Sequence, residues 1–301
     1  MVAGCHPFHV RYGAPVSLPL VGVSTDESRW YLPVETPQGQ QVLFFDTGYA
    51  RTTCDDQLVA GLGLPVRGRT RIRGEVGSAV ARRTWLPSVQ FGEHQLRDVP
   101  CQVRDLGSTS SIEDPAEGAV AGVLGIDVLR RFVLEIDPTT ATITLSDPRT
   151  RPLGTTERLR PEGGFGPRLL LKLELGGHTL RPVLDTGADQ TWVRGAAADL
   201  QVTQVQPSVL VRGTGAPGGE LRDLQYFHLD EVRVAGATLH DLVFIDRDRP
   251  WWSDGLLGLD VIGQFHGVYD LSRRRCALFP VVPAALPAWR PGQPTAAAIG
   301  G

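Results

Sequence analysis

Two carboxylates stand at repeated positions in this 301-residue chain. Asp46 and Asp185 each begin an Asp-Thr-Gly tripeptide that directly follows an apolar run. A short apolar run of this kind predicts a buried strand, and the aspartate then lies on the loop where the strand ends. Carboxyl groups can donate or accept protons in catalysis. Two of them in matched contexts are therefore the first candidates for acid–base chemistry.

The repeat extends well beyond the two tripeptides. Residues 120–129 and 253–262 share a glycine that follows two apolar residues and precedes an apolar-Asp pair. Residues 89–99 and 232–242 form a further matching pair between the tripeptide and this second motif. Self-similarity on this scale indicates two lobes of the same architecture.

The composition is that of an ordinary globular protein, with 42% hydrophobic residues. A net charge of -3 and scattered arginines give no electrostatic argument for binding nucleic acid. No apolar stretch reaches the roughly 18 residues of a membrane helix. The histidines form no His-Glu-x-x-His motif, and no phosphate-binding Gly-Lys motif occurs. The expectation is a protein without metal, cofactor or nucleic-acid partner.

Short apolar or alternating runs, separated by Gly, Pro and Asp, recur about every ten residues and predict a mainly β fold. In each half a hairpin is expected to deliver the aspartate, and a brief helix is expected after the second glycine motif, at 128–132 and 261–265. The predicted organisation is an N-terminal segment (1–16), a first lobe (17–147), a Pro- and Gly-rich linker (148–167), a second lobe (168–282) and a flexible tail (283–301).

The four cysteines are widely and irregularly spaced, which fits neither a disulfide-dense scaffold nor a Cys-x-x-Cys metal site. Cys101 and Cys276 lie in apolar, strand-like runs and are predicted to be buried free thiols. The stretch from Val2 to Cys5 is similar to the box before a lipid-modified cysteine. The location expected from the chain as written is cytoplasmic, and lipid-anchored export is the alternative if translation starts further upstream.

Asp-Thr-Gly after an apolar strand, followed later by two apolar residues and a glycine, resembles the aspartic protease superfamily over residues 17–282. The second lobe resembles the bacterial and retroviral retropepsin-like branch, whereas two copies in one chain are similar to the pepsin arrangement. The resemblance implies an all-β, bilobal fold in which two pseudo-twofold-related β-barrel lobes enclose a cleft.

The resemblance also assigns roles to residues of both lobes. Asp46 and Asp185 match the two catalytic aspartates of the family. The remaining matched positions support the active-site loops: threonines that bond across the axis, glycines that leave room for substrate, and glycines that pack beneath the loops, namely Thr47, Thr186, Gly48, Gly187, Gly125 and Gly258.

In the family mechanism two neighbouring carboxyls share one proton, because both cannot ionise cheaply when they lie close together. The ionised aspartate takes a proton from a water molecule, which attacks the peptide carbonyl, while the protonated aspartate polarises the carbonyl oxygen. No metal or covalent intermediate takes part. The implied partner is a peptide or protein substrate.

Substrate contacts are expected from Tyr49, Asp189 and two glycine-rich hairpins. The hairpins, at 72–78 with Gly74 and at 211–219 with Gly213 and Gly215, are flap candidates, and ordinary exposed turns are the alternative. Asp189 matches a residue that contacts substrate backbone, and a local hydrogen bond is the alternative.

Tyr49 departs from the family pattern, which has a small residue at this position. A bulky ring beside Asp46 could narrow the cleft or tilt the carboxyl pair. The two hypotheses are therefore a monomeric aspartic endopeptidase and a catalytically silent peptide-binding module with the same fold. A third variant, in which lobes pair between two molecules, is less favoured because Tyr49 and Ala188 show that the lobes have diverged.

Overall fold

The computed structural model describes residues 8–21, 29–73, 78–106, 120–154, 156–164, 167–194, 204–205, 225–246 and 253–282. Strands make up most of this part of the chain, which confirms the mainly β prediction. None of its helices has the length and apolarity needed to span a membrane.

The first half of the chain contains eleven strands and two short helices among its described residues. In chain order these are β1 (His9–Arg11), β2 (Val16–Pro19), β3 (Tyr31–Thr36), β4 (Gly39–Phe45), β5 (Thr53–Asp55), α1 (Asp56–Gly61), β6 (Arg67–Arg73), β7 (Ser78–Phe91), β8 (His94–Arg104), β9 (Gly122–Leu124), α2 (Ile126–Leu129), β10 (Val133–Asp137) and β11 (Thr142–Ser146).

The second half repeats this plan. Its described elements are β12 (Glu157–Arg158), β13 (Arg160–Pro161), a 3₁₀ helix (Glu162–Gly164), β14 (Leu169–Leu170), β15 (Leu173–Leu175), β16 (His178–Leu180), β17 (Val183–Leu184), β18 (Trp192–Val193), β19 (Gln204–Val205), β20 (Gln225–Val234), β21 (Ala237–Asp246), β22 (Gly255–Leu257), α3 (Leu259–Ile262), β23 (Phe265–Asp270) and β24 (Arg275–Pro280).

Each half forms one sheet of its own, and a third sheet joins them. Eight strands of the first half are ordered β1-β8-β5-β9-β4-β3-β7-β6. In the second half the order is β13-β14-β17-β22-β18-β21-β20-β15-β16, with β19 added beside β20. The joining sheet runs β12-β24-β23-β10-β11-β2, and its central pair, β10 and β23, is antiparallel with Leu134 opposite Tyr269. The fold is therefore bilobal, as predicted.

The predicted hairpins are present and lead directly to the two aspartates. In the first half β3 and β4 pair antiparallel and Asp46 follows β4. In the second half β15 and β16 form the hairpin, and β17 then ends immediately before Asp185. The two brief helices begin earlier than predicted, because Gly125 and Gly258 are their N-cap residues. They also end earlier, at Leu129 and Ile262, because a short turn follows each helix before β10 and β23 begin.

One large apolar core runs through both halves beneath the sheets. The equivalent residues Phe132 and Phe265 are each 1% exposed within it. Two smaller apolar clusters lie apart from this core, one in each half. The first contains Tyr31, Phe44 and Val123 and contacts Tyr49, whereas the second contains Trp192 and Leu256 and contacts Ala188.

The expectation for Cys101 was wrong, because this residue forms a disulfide with Cys54. The two cysteines are 47 residues apart in sequence, so no local spacing rule signals the bond. They meet because β5 and β8 are neighbouring parallel strands. Cys276 is the buried free thiol that was predicted, and burial raises its pKa to about 12.

Candidate active site

The two Asp-Thr-Gly loops are built in the same way. Strand β4 runs parallel to β9, and the amide of Asp46 donates to the carbonyl of Leu124 at 3.2 Å. Strand β17 runs parallel to β22, and the amide of Asp185 donates to the carbonyl of Leu257 at 3.1 Å. Each aspartate is thus fixed at the end of its own strand by a neighbouring parallel strand. These neighbours, β9 and β22, end immediately before Gly125 and Gly258.

The structure brings the two carboxyls into direct contact. Asp46 and Asp185 form a side-chain hydrogen bond with each other, and they are only 4% and 8% exposed. The amides of Gly48 and Tyr49 donate to Oδ1 of Asp46 at 2.8 and 2.9 Å. The amide of Gly187 donates to Oδ1 of Asp185 at 2.9 Å. Backbone donors therefore hold the orientation of both carboxyls.

Glycine is required at the third position of each tripeptide. A Cβ atom on Gly48 would lie 2.2 Å from the carboxyl carbon of Asp185. A Cβ atom on Gly187 would lie 2.4 Å from the carboxyl carbon of Asp46. Since real Cβ contacts essentially never come this close, each glycine is what lets the opposite carboxyl approach.

The two threonines lock the loops together in a reciprocal network. The amide of Thr47 donates to Oγ1 of Thr186, and the amide of Thr186 donates to Oγ1 of Thr47, both at 3.0 Å. Each hydroxyl then donates to a carbonyl of the opposite half, Thr47 to Leu184 at 2.8 Å and Thr186 to Phe45 at 2.9 Å. All four bonds are buried, so they fix the distance between the two halves at the carboxyl pair of Asp46 and Asp185, the dyad.

Burial dominates the electrostatics of the pair. Removal from water raises the pKa of Asp46 to about 6, even though the bond from Asp185 and the amides of Gly48 and Tyr49 favour the ionised form. A carboxyl with this pKa holds its proton well into the mildly acidic range. The pair can therefore keep one proton while the other carboxyl is ionised.

The second glycine motif supports each loop from below. A Cβ atom on Gly125 would lie 2.7 Å from the carbonyl carbon of Arg51, and one on Gly258 would lie 2.7 Å from that of Gln190. The carbonyl of Tyr49 accepts from the amide of Ile126 at 2.8 Å, and Ala188 and Leu259 form the matching bond at 2.8 Å. Helices α2 and α3 are thus held against the loops.

The supporting contacts of Asp127 and Asp260 were not predicted from the sequence. Oδ1 of Asp127 accepts from the amide and the hydroxyl of Thr52 at 2.9 and 2.8 Å. Asp260 accepts the same two bonds from Thr191 at 2.9 and 2.7 Å. Thr52 and Thr191 each lie six residues after the dyad aspartate of their own half. This equal spacing is the feature of the sequence repeat that could have identified the two threonines.

These supporting carboxyls are also electrostatically unusual. Burial raises the pKa of Asp127, and it raises the pKa of Asp260 to about 6. Each also accepts a bond from the amide of the following residue in its own helix, Val128 at 3.0 Å and Val261 at 2.9 Å. The hydroxyls of Thr52 and Thr191 also accept from the amides of Gly125 and Gly258, so the two carboxyls connect the helix, the loop and the supporting glycine in each half.

Tyr49 and Asp189, the predicted substrate contacts, are both held by arginines. Tyr49 is partly buried against the first small apolar cluster, and its hydroxyl accepts from Nη1 of Arg104 at 3.0 Å. Nε of Arg29, from the first half, donates to both carboxylate oxygens of Asp189, at 3.2 and 3.3 Å. Asp189 thus makes an ion pair between the halves, and contact with substrate stays a prediction for both residues.

The remaining predicted contacts are not described. Gly74, Gly213 and Gly215 lie outside the described residues, so the two flap hypotheses stay predictions. Two groups of acidic and histidine side chains in the described part of the chain have the spacing of a cation site: His228, Asp230 and Asp241, and Asp55, Asp56 and Asp105. Neither group includes a residue of the dyad.

Comparison with known structures supports the same architecture. The chain is similar to the aspartic proteinase from Irpex lacteus, with a TM-score of 0.56 and 14% sequence identity. The alignment covers 89% of this chain and 97% of the other, and it shows a common fold. A comparison with curated proteins finds no significant match.

The sequence also matches a family profile described as aspartyl protease, over residues 34–128 and 171–261. These segments make up more than half of the chain. Each contains one Asp-Thr-Gly loop together with the glycine that supports it from below. With both loops matched and their carboxyls in contact, the chain belongs to the aspartyl protease family.

Proposed function

We propose that the protein is an aspartic endopeptidase, in which Asp46 and Asp185 activate a water molecule to hydrolyse peptide bonds. The observation that carries this proposal is the mutual hydrogen bond between two buried carboxyls in a single site. Two carboxyls this close cannot both be ionised without a large electrostatic cost. One shared proton is the arrangement that acid–base hydrolysis by such a pair requires.

The reaction then proceeds by proton transfers that balance within the dyad. The ionised carboxylate accepts a proton from water as the water oxygen attacks the carbonyl carbon of the scissile bond. The protonated carboxyl donates to the carbonyl oxygen, which gives a neutral tetrahedral intermediate. Breakdown of that intermediate moves one proton to the leaving nitrogen and releases an acid and an amine. The dyad returns to its starting state with one proton.

The surrounding groups prepare the pair for these transfers. Amide donors bind Oδ1 of each aspartate and so hold both carboxyls in one orientation for proton exchange with water and substrate. The threonine network keeps the carboxyls in place while charge moves between them. Such preorganisation lowers the barrier because no reorganisation is needed during the reaction.

A catalytically silent peptide-binding module is the second candidate, since Tyr49 could have disturbed the pair. The amide of Tyr49 instead donates to Asp46 beside that of Gly48, and the two carboxyls remain hydrogen-bonded. This favours the enzyme. Incubation with a random peptide pool tests the choice: new peptide ends whose formation is blocked by a pepstatin-like inhibitor support the endopeptidase. Peptide binding without any cleavage would support the binding module.

We further propose that the protein acts as a monomer on peptide or protein substrates. One chain supplies both carboxylates, so a second copy is not needed to complete the site. Light scattering at working concentrations should give the mass of a single chain. A dimer that loses activity on dilution would contradict this.

We also propose export rather than a cytoplasmic location, and the Cys54–Cys101 disulfide supports this, because such bonds persist mainly in oxidising compartments. Fractionation of the source cells tests it. Recovery of the protein in the cytoplasm with both thiols reduced would contradict it.

A further inference from the structure

Arg104 is a buried cation that forms no ion pair with any described residue. It ends strand β8, and only 8% of the residue is exposed. Its Nη1 donates to the hydroxyl of Tyr49 at 3.0 Å, whereas its buried Nη2 has no hydrogen-bond partner. Among the described residues no carboxylate forms an ion pair with it. A charge in this position is costly to bury unless something else compensates it.

The acidic residue paired with Arg104 in the sheet is engaged by backbone donors. Asp55 stands opposite Arg104 in the parallel pairing of β5 with β8. Its Oδ1 accepts from the amide of Gln57 at 2.8 Å, and its Oδ2 accepts from the amide of Leu106 at 2.9 Å. Both oxygens therefore serve backbone donors, and no hydrogen bond or ion pair joins this carboxylate to the guanidinium of Arg104.

Arg104 is also connected to the dyad through a single residue. Tyr49 donates its amide to Oδ1 of Asp46 at 2.9 Å and receives the Arg104 hydrogen bond on its hydroxyl. The tyrosine ring between these two contacts is only partly buried. The guanidinium therefore lies one tyrosine side chain away from the reacting carboxyls, on the side of the first half.

The tyrosine hydroxyl adds a second donor to this position. Since its oxygen accepts from Arg104, its own hydrogen remains to be donated. No acceptor for that hydrogen occurs in the described part of the chain. Nη2 of Arg104 and the hydroxyl of Tyr49 together make a pair of donors, one of them charged, of the kind that binds a carboxylate.

We propose that Arg104 and Tyr49 form a subsite for a carboxylate of the bound peptide, so that the enzyme prefers acidic substrates. The inference rests on the proposed peptidase function and names its substrate class. The carboxylate can come from a Glu or Asp side chain or from the C-terminus of the peptide. In the second half Ala188 stands at the position equivalent to Tyr49, so the preference should occur on one side of the scissile bond.

The test is a positional library of fluorogenic octapeptides, fixed in turn as Glu or Gln at each position, with C-termini as free acids or amides. At one position, or at the C-terminus, we expect the carboxylate form to be cleaved with a kcat/KM about tenfold or more above the neutral form. Arg104→Met should bring this ratio to about one, since methionine keeps the length of the side chain without its charge. Tyr49→Phe should lower the ratio while keeping the ring.

Two controls separate recognition from folding. Arg97→Met removes an exposed arginine from the same strand and should leave the ratio as in the wild type. Arg104→Met should melt at or above the wild-type temperature, because it removes a buried charge that has no ion-pair partner among the described residues. The ratio should also fall towards one below about pH 4, where a substrate Glu becomes protonated. A purely structural role for Arg104 predicts none of these changes in the ratio.

The outcomes also separate this inference from the proposed function. Cleavage with equal rates for Glu and Gln at every position and for acid and amide ends would overturn the subsite and leave the peptidase intact. A carboxylate preference that survives in Arg104→Met would overturn it as well. If no peptide is cleaved, the peptidase proposal fails. Binding of the same peptides, measured by fluorescence anisotropy, then tests the carboxylate subsite by itself. Tighter binding of the carboxylate peptides, lost in Arg104→Met, would support the subsite, and equal binding would overturn it.

Discussion

The hydroxyl of Thr47 and the hydroxyl of Thr186 each accept a backbone amide from the other half of the chain, at 3.0 Å in both directions. Both hydroxyls also donate to carbonyls across the same boundary. The relationship is reciprocal, so the two halves are equally dependent on it. It couples the stability of the bilobal fold to the geometry of the dyad.

Removing one of these hydroxyls should destabilise the protein measurably. Thr186→Val leaves the amide of Thr47 without its acceptor and the carbonyl of Phe45 without its donor. We expect the free energy of unfolding in urea to fall by about 1–3 kcal/mol, because buried polar groups are left unsatisfied. Thr186→Ser retains the hydroxyl and should lose much less. Equal stability of the Val and Ser variants would show that the network contributes nothing.

The glycines of the tripeptides should be intolerant of the smallest side chain. In Gly48→Ala the new methyl group would lie 2.2 Å from the Asp185 carboxyl carbon, so one of the two must move. Because small displacements of catalytic groups are costly, kcat should fall by about 10²-fold. Gly154→Ala is the matched control, since no atom lies within 4 Å of its Cβ position. A Gly48→Ala enzyme with wild-type kcat would contradict the close approach of the carboxyl.

The activity should fall as the pH rises, because the buried dyad must hold one proton. Burial raises the pKa of Asp46 to about 6, so the pair keeps its shared proton below that pH and loses it above. The value of kcat/KM, measured on one neutral peptide from pH 3 to 8, should decline as the pH rises through about 6. A rate that stays constant or increases between pH 6 and 8 would be incompatible with a proton held by the pair.

The disulfide between Cys54 and Cys101 should stabilise the first half. It closes a loop spanning 47 residues, for which chain entropy predicts a contribution of about 4 kcal/mol. The double variant Cys54→Ala and Cys101→Ala should lose that order of unfolding free energy. Reducing agent should destabilise the wild type and leave the double variant unchanged. Alkylation of both thiols in unreduced, unfolded wild type would show that the bond does not form.

The repeat in the sequence predicted two lobes and the position of one aspartate at the end of a strand in each, because these features follow from local patterns. An apolar run before Asp-Thr-Gly is a strand that ends in a loop, and its recurrence with the glycine motif indicates two equivalent lobes. The contact between Asp46 and Asp185, 139 positions apart, was expected from the resemblance to a family rather than from spacing. The structure shows the two carboxyls hydrogen-bonded to each other.

The parts that the sequence did not predict depend on pairing between distant strands. Cys54 meets Cys101 only because β5 lies beside β8, and Tyr49 meets Arg104 at the end of the same pair of strands. The contact of Asp127 was not predicted because its partner Thr52 lies 75 residues away. In each case the sequence shows the residue itself, but its partner depends on which strands are neighbours in the folded sheet.

Replacement of each aspartate by asparagine shows whether the two carboxyls hydrolyse peptides together. Asp46→Asn and Asp185→Asn remove one ionisable group from the pair and change its size very little. With folding verified by the melting temperature, kcat/KM for a cleaved peptide should fall by about 10²–10⁴-fold or more in both variants, because each carboxyl supplies a proton transfer. If either variant hydrolyses the peptide at the wild-type rate, the two carboxyls do not act together and the proposed mechanism is wrong.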